Sequence, residues 1–373
     1  MNQTIHIVAF DVPYPPNYGG VIDIFYKIKK LHQVGVKIIL HCFDYGRGQQ
    51  KELENYCQTI HYYKRNLSKR LFFSPLPFIV ASRASNELIK NLCTDNFPIL
   101  FEGLHCCFYL NDSRLKNRKK IVRTHNIEHD YYQQLASVEK KIWKRMYFLN
   151  EAKKLKKFEN NLASANVLAA ISPNDYIHIQ NLKFETQKSI YLPAFHGFDN
   201  VDISLNTEKF CLFHGNLSVG ENNEAAIFLA KKVFNNLSVP LVIAGSNPSK
   251  ELVELAQNND NITLKANIST NEINDLIAKA QINILPTHQG TGIKLKLLAA
   301  LFRGKHCLVN TTMVENTGLE DLCIIANSAS EFKKEINRLI NTPFREQDIQ
   351  KREQTLDPFN PQKNIKDLIS AIF

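Results

Sequence analysis

Apolar residues along this chain keep two different rhythms. Short, nearly continuous apolar runs, such as 4–10 ("TIHIVAF") and 36–43 ("VKIILHCF"), read as buried strands. Between them apolar residues recur every three or four positions, at Val21, Ile24, Phe25, Ile28 and Leu31, which predicts an amphipathic helix. Strand, helix and strand in that order form the β-α-β unit of a parallel sheet with a right-handed crossover. Further strands are expected at 98–103 ("PILFEG"), 119–126 ("KKIVRTHN") and 166–172 ("NVLAAIS"), with a short helix after Pro173. One long helix is expected before the last strand, carried by Val138, Ile142, Met146, Leu149, Ala152, Leu155, Phe158 and Leu162.

A second series follows the linker-like segment 191–200 ("YLPAFHGFDN"). Strands at 209–215, 239–245, 261–267, 281–286 and 305–310 alternate with helices at 224–237, near 249–257, after a cap at Ser269 or Thr270, and at 292–304. The pattern therefore predicts an α/β fold of two doubly wound, Rossmann-like domains, with a ligand in the cleft between their facing loops. The expected limits are 1–195 for the N-terminal domain, 196–345 for the C-terminal domain and 346–373 for a polar helical tail, broken at Pro358 and Pro361.

Composition narrows the setting. A chain of 373 residues with 44% hydrophobic content gives each half material for its own core. No run approaches the about 18 apolar residues that a membrane span needs. The opening "MNQTIHIVAFDV" has no basic segment ahead of its short apolar run, so it reads as a first strand, and a cytoplasmic location is expected. The eight cysteines show no CxxC pair and no metal-ligand spacing, and are expected to be reduced and structural.

The net charge of +10 is uneven: residues 1–200 hold 28 Lys+Arg against 17 Asp+Glu, and the remainder 18 against 19. The first half is thus expected to face something anionic, a membrane surface or a phosphorylated substrate. Lys140, Lys141, Lys144, Arg145, Lys153, Lys154, Lys156 and Lys157 cluster on the long helix. That face is either simply solvated or rests against acidic headgroups. No helix-turn-helix, RRM or zinc motif supports a nucleic-acid partner, and no Walker motif supports an ordinary kinase.

In open parallel sheets, ligands bind beyond the carboxyl ends of the strands. Four loops stand there. In "YPPNYGG", Gly19 and Gly20 open a helix and either admit a ligand close to the backbone or form a plain turn. In "RTHNIEHDYY", Arg123, His125, Asn126 and Glu128 crowd a strand end, and His125 suits a general base or a hydrogen bond to a sugar hydroxyl. His125 and His129 have the four-residue spacing of metal ligands, but no third ligand is evident. In "FHGNLSVGENNEAA", Gly215 and Asn216 suit a phosphate, unless Asn222 or Asn223 simply caps the helix. In "GTGIKLKLLAALFRGK", helix-start amides with Lys294 or Lys296 suit a diphosphate, unless the lysines are merely solvated.

Taken in order, "PYPPNYGG", "VRTHNIEHDYY", "ISPNDY", "FHGNL", "VIAG", "NITLKANIS" and "GTGIKLKLLAALFRGK" resemble a GT-B glycosyltransferase, most closely the bacterial family 4 type, over about residues 1–330. The resemblance implies a hexose transferred from a nucleotide-sugar to a glycan or lipid-linked acceptor in surface polysaccharide synthesis. It also implies retention at the anomeric carbon, no metal and no other cofactor, and a last helix that crosses back to the first domain. It places the donor at Gly215, Asn216, Gly245, Lys265, Ala266, Asn267, Gly290, Thr291, Gly292, Ile293, Lys294 and Lys296. His125 matches the histidine near the reacting carbon, while Gly19, Gly20, Arg123, Asn126 and Glu128 fall on the acceptor side. The family carries a ribose-gripping Glu where this chain has Ala299, and the basic pair common on its third loop is absent near Asn216 and Glu221–Asn222. Ala299 is the basis of an alternative, a non-catalytic binding subunit on the same fold.

Overall fold

A computed structural model describes residues 3–184, 188–206, 208–288, 295–315 and 317–373. The chain forms two compact units, residues 1–197 with 361–373, and residues 198–360.

The first unit holds a parallel sheet built from β1 (Thr4–Ala9), β2 (Lys37–Asp44), β3 (Thr59–Lys64), β4 (Ile99–Glu102), β5 (Lys120–Thr124), β6 (Val167–Ala170) and β7 (Lys188–Tyr191). Their order across the sheet is β3-β2-β1-β4-β5-β6-β7. The helices are α1 (Gly19–Gln33), α2 (Phe78–Ala81), α3 (Asn86–Leu92), α4 (Glu128–Val138), α5 (Ile142–Phe158) and α6 (Pro173–Asn181). Strands β1, β4 and β5 are buried along their whole lengths, as continuous apolar runs covered on both faces must be.

The second unit repeats the plan. Its strands are β8 (Glu208–His214), β9 (Leu241–Gly245), β10 (Ile262–Ala266), β11 (Ala280–Leu285), β12 (His306–Val309) and β13 (Ile324–Ile325), in the order β10-β9-β8-β11-β12-β13. Its helices are α7 (Gly220–Phe228), α8 (Lys250–Gln257), α9 (Thr270–Lys279), α10 (Leu295–Arg303), α11 (Thr311–Val314), α12 (Ala329–Leu339) and α13 (Glu346–Leu356). Serines set several starts: Ser249 caps α8, and Ser269 with Glu272 forms a capping box on α9.

The two doubly wound sheets expected from the pattern are therefore present. Three strands escaped the sequence reading, β3, β7 and β13, and each is at a sheet edge. An edge strand is covered less completely, so its apolar run is diluted, as in "TIHYYK". The long helix also differs from expectation. Glu139 adopts an extended conformation (φ −74°, ψ 125°), so Val138 ends α4 while the rest of the expected stripe starts at Ile142 in α5; the two helices pack on each other with Tyr132 and Phe148 at 6.0 Å between ring centres. Val138, Ile142 and Met146 are 75%, 76% and 66% exposed, while Ala152, Leu155 and Phe158 are in the core, so only the later turns of α5 bury the stripe.

The last helix, α14 (Pro361–Ile372), belongs to the first unit. Ile365, Leu368, Ala371 and Ile372 join Ile5, Ile7, Ile38 and Leu40 in one apolar cluster. Leu368 is fully buried, so Leu368→Ala is expected to lower the stability of this unit by about 2–5 kcal/mol, read from urea denaturation.

Candidate functional site

Each sheet has one point where the strand order reverses direction, and there the loops diverge and leave a crevice. In the first unit it lies between β1 and β4, in the second between β8 and β11. The candidate residues gather at these two places, which are described separately.

In the first unit, β4 ends at Glu102 and β5 carries Arg123 directly opposite it in register. Arg123 is fully buried, and its guanidinium holds both oxygens of Asp23 at 3.1 and 3.2 Å and donates to the carbonyls of Leu192 and Pro193. Asp23 also accepts from the amide of Phe195 at 2.7 Å and from Lys27 Nζ at 2.9 Å. Lys27 in turn lies 2.7 Å from Glu102 Oε1 and 3.0 Å from Oε2. Glu102 Oε2 then meets His125 Nε2 at 3.0 Å. The chain of contacts runs from Arg123 through Asp23, Lys27 and Glu102 to His125.

Burial alone would raise the Asp23 carboxyl, but the charges of Arg123 and Lys27 outweigh it and hold that carboxyl well below the usual range. Glu102 is likewise held down: burial opposes, and Lys27 and the hydrogen bond from His125 prevail. An ionised Glu102 accepts the Nε2–H of His125 and so fixes its tautomer, leaving the Nδ1 lone pair as an acceptor. Phe10 packs edge-on to the His125 ring at 5.4 Å between centres. A Cβ on Gly20 would strike that same Phe10 at 2.4 Å, so the glycine lets α1 start close under it. Gly19 has open space around it.

Glu128 opens α4 and is buried at 4% exposure. Burial first, and the nearby Asp175 second, push its carboxyl up to about 8. Its Oε1 is 3.8 Å from His105 Nδ1, and it shares a side-chain hydrogen bond with Asn126. His125 precedes α4 and turns to Glu102, whereas His129, inside α4, faces Glu159. The two histidines thus diverge, and their sequence spacing does not make a ligand pair. Asp23, Glu102 and His125 do place one donor atom each within 4.8 Å of one another. Lys27 and Arg123 already neutralise both carboxylates, however, so a cation there would meet two positive charges.

The sequence reading missed Asp23, Lys27 and Glu102. The available signal was an Asp and a Lys four residues apart on the apolar face of a predicted helix, and an acid at a strand end. Arg123 is inside the network and acts through Asp23.

In the second unit, β8 and β9 end side by side, and Gly215 donates to the Ala244 carbonyl at 3.1 Å. A Cβ on Gly245 would lie 1.9 Å from the Gly215 carbonyl oxygen, so only glycine permits this approach. Asn216 Oδ1 accepts from Ser218 N at 3.1 Å and from Ser246 Oγ at 3.0 Å, which ties the two strand ends together. Helix α7 then starts at Gly220 with no side-chain cap from Val219. Neither Asn222 nor Asn223 serves as the cap: Asn222 donates to the Asn216 carbonyl and accepts from Lys296 Nζ at 2.8 Å, and Asn223 accepts from Ser249 N. An uncapped helix start favours an anion.

Lys296, on the first turn of α10, also lies over the Phe213 ring at 5.3 Å. Burial, helped by the Lys296 charge, holds His214 down to about 3. Lys265 and Ala266 close β10 and are exposed. Asn267 follows in the left-handed region (φ 57°), donates to the Gly245 carbonyl at 2.9 Å, and accepts from Asn247 N at 3.0 Å. Gly290, Thr291, Gly292, Ile293 and Lys294 lie outside the described residues. Ala299 packs against Phe210, Leu212, Ala244 and Ile277.

No protein-family model matches the chain. It is 28% identical over 358 residues, 89% of both chains, to a Klebsiella pneumoniae protein described as an uncharacterized 44.6 kDa protein in the cps region. Among solved structures it is similar to sucrose-phosphate synthase from Thermosynechococcus elongatus (TM-score 0.70, 13% identity, 99% and 98% of the two chains). It is also similar to Anabaena HepE, solved with UDP and glucose (0.65, 13%, 99% and 100%), and to the lipopolysaccharide outer core galactosyltransferase WaaB (0.63, 13%, 100% and 99%). The fold is that of GT-B glycosyltransferases.

The raised Glu128 carboxyl has a stability consequence. Because its folded value (about 8) exceeds its ordinary one (4.5), its contribution is full below about pH 4.5 and is lost as pH rises through about 8. Each unit between the two values corresponds to about 1.4 kcal/mol. Glu128→Gln, which cannot titrate, is expected to melt above wild type at pH 9 and to lose that advantage by pH 5 in a thermal series.

Proposed function

We propose that the protein transfers a hexose from a nucleotide-sugar to a glycan or lipid-linked acceptor in bacterial surface polysaccharide synthesis, with no metal in the transfer step. The observation that carries this reading is His125, held by the buried ionised Glu102 at the strand-order reversal of the first sheet. Solved proteins of this fold support it: one was solved with UDP and glucose, and another is a lipopolysaccharide galactosyltransferase. The relative from a cps region is in keeping with a polysaccharide role.

In the transfer, the bond from the anomeric carbon to the diphosphate oxygen breaks with its electron pair going to that oxygen, a bond to the acceptor oxygen forms, and the acceptor hydroxyl's proton passes to the departing diphosphate. Fixed with Nε2–H toward Glu102, His125 offers Nδ1 to a sugar or acceptor hydroxyl. Negative charge grows on the departing diphosphate, and Lys296 together with the uncapped start of α7 stabilises it electrostatically. Lys294 adds a second charge in this reading, and Gly215, Asn216, Gly245, Lys265, Ala266 and Asn267 form the donor side. Gly19, Gly20, Asn126 and Glu128 border the acceptor, and Arg123 holds the network in place. Retention at the anomeric carbon is part of the proposal.

The cytoplasmic membrane face is the proposed setting. Ile142, Trp143 and Met146 are 76%, 66% and 66% exposed, beside exposed Lys140, Lys141 and Arg145. Apolar residues flanked by lysines suit the boundary of an anionic bilayer. Among the described residues no helix is long and apolar enough to cross a membrane.

Ala299 favours a second reading, in which the chain binds without catalysing. A methyl group among Phe210, Leu212 and Ile277 accepts no hydrogen bond from a ribose. Calorimetry separates the two: absence of binding by any nucleoside diphosphate at millimolar concentration overturns the transfer reading.

Two further outcomes are expected. Against a panel of nucleotide-sugars, with released diphosphate as readout, one donor should turn over, and His125→Ala and Lys296→Ala should each lower kcat by roughly 10²–10³; unchanged rates in both variants remove the site assignment. In sedimentation with vesicles containing phosphatidylserine, wild type should co-sediment at low salt, and a variant with Trp143→Ala, Lys140→Ala and Lys141→Ala should remain in the supernatant.

A further inference from the structure

We propose that His129, Glu159 and His178 form a binding site for a divalent d-block cation, with zinc the ion their chemistry suits. The site is separate from the Asp23–Glu102–His125 network, and it does not depend on the transfer reading.

Three elements converge to make it. His129 is the second residue of α4, Glu159 directly follows α5, and His178 is on α6. Glu159 divides its carboxylate between the two rings: Oε1 lies 3.0 Å from His178 Nε2, and Oε2 lies 3.7 Å from His129 Nδ1. One donor atom from each residue falls within a group no wider than 4.8 Å. Zinc binds imidazole and carboxylate at roughly 2.0–2.2 Å, which in tetrahedral geometry sets neighbouring donors roughly 3.3–3.5 Å apart. The Oε1–His178 spacing is somewhat shorter than that and the Oε2–His129 spacing somewhat longer, and with all three donors within 4.8 Å of one another side-chain rotation can bring them onto one ion.

The surroundings agree with a cation. The Glu159–His129 separation is beyond ordinary hydrogen-bond distance, so this pair is not held by a shared proton. The other nitrogen of His129 is 3.5 Å from Asp130 Oδ1. A carboxylate beyond the far nitrogen is the usual means of orienting a metal-bound imidazole and raising its basicity. His129 and Glu159 side chains are 7% and 10% exposed, whereas His178 is 26% exposed and keeps the cluster open to solvent. Two imidazoles and one carboxylate, with water at the fourth position, are a zinc ligand set.

Such an ion would pin the start of α4 to α5 and α6. His125 and Glu128 lie within four residues before His129, so the ion would fix the loop that carries them.

The test uses full-length protein without a histidine tag. After loading with zinc sulfate and gel filtration, wild type should retain about one zinc per chain by mass spectrometry. His178→Ala and Glu159→Gln should each retain less than a fifth of that, with unchanged circular dichroism. Cobalt(II) supplied instead should give the intense visible bands of a tetrahedral site in wild type and not in His178→Ala. Wild type that retains no zinc, a cobalt spectrum like that of the free ion, or His178→Ala that retains as much zinc as wild type overturns the site and leaves a plain His178–Glu159 ion pair. Where His178→Ala does not fold, Glu159→Gln carries the same comparison.

Discussion

Asp23 has no exposed surface, and a carboxylate taken out of water must be met by charge and hydrogen bonds or it destabilises the fold. The first unit is built around meeting that requirement. Arg123 comes to it from the middle of the sheet, Lys27 from one turn further along the same helix, and the Phe195 amide from the segment after β7. Each partner then has obligations of its own. Arg123 reaches carbonyls at 192 and 193, and Lys27 reaches Glu102. The position of His125 is the last consequence of this sequence of pairings, because Lys27 favours the charged form of the Glu102 carboxyl that holds the ring.

The second unit solves its problem by different means. Its reversal point is shaped by small residues and backbone amides. Gly215 and Gly245 let two strand ends come together, and a helix starts beside them without a cap. Lys296 is steered to the same place by Asn222 and the face of Phe213. One unit fixes a titratable ring through buried charge, and the other brings a single lysine to a helix start shaped by glycines.

Much of this was legible in the sequence, and the parts that were not have definite physical causes. Buried parallel strands such as 4–10 and 281–286 announce themselves, because both faces need apolar cover. Edge strands β3, β7 and β13 do not, since their runs are very short or diluted with polar residues; the fourth edge strand, β10, was still legible at 261–267. The apolar rhythm from Val138 to Leu162 was continuous, yet α5 spans only Ile142–Phe158 and its first turns leave Ile142 and Met146 exposed; periodicity describes a face and carries no information about what covers it. His125 stood out by its neighbours at a strand end. Asp23, Lys27 and Glu102 did not, because their meaning depends on which segments become adjacent, at separations of up to 172 residues. The spacing of His125 and His129 pointed to a pair that the start of α4 separates, while Glu159 and His178, the partners His129 does have, are 30 and 49 positions further on.

Helix α14 bears on the order in which the chain can fold. The apolar face of β1 and β2 is completed by Ile365, Leu368 and Ile372, which are translated some 300 residues after those strands. Residues 198–360 contain their core in one continuous stretch, so that unit can become compact without residues from elsewhere in the chain. The earlier-made unit keeps part of its core uncovered until α14 is available. The first half to be synthesised is therefore closed by residues made far later, and until they arrive an apolar face of its sheet lies open to association.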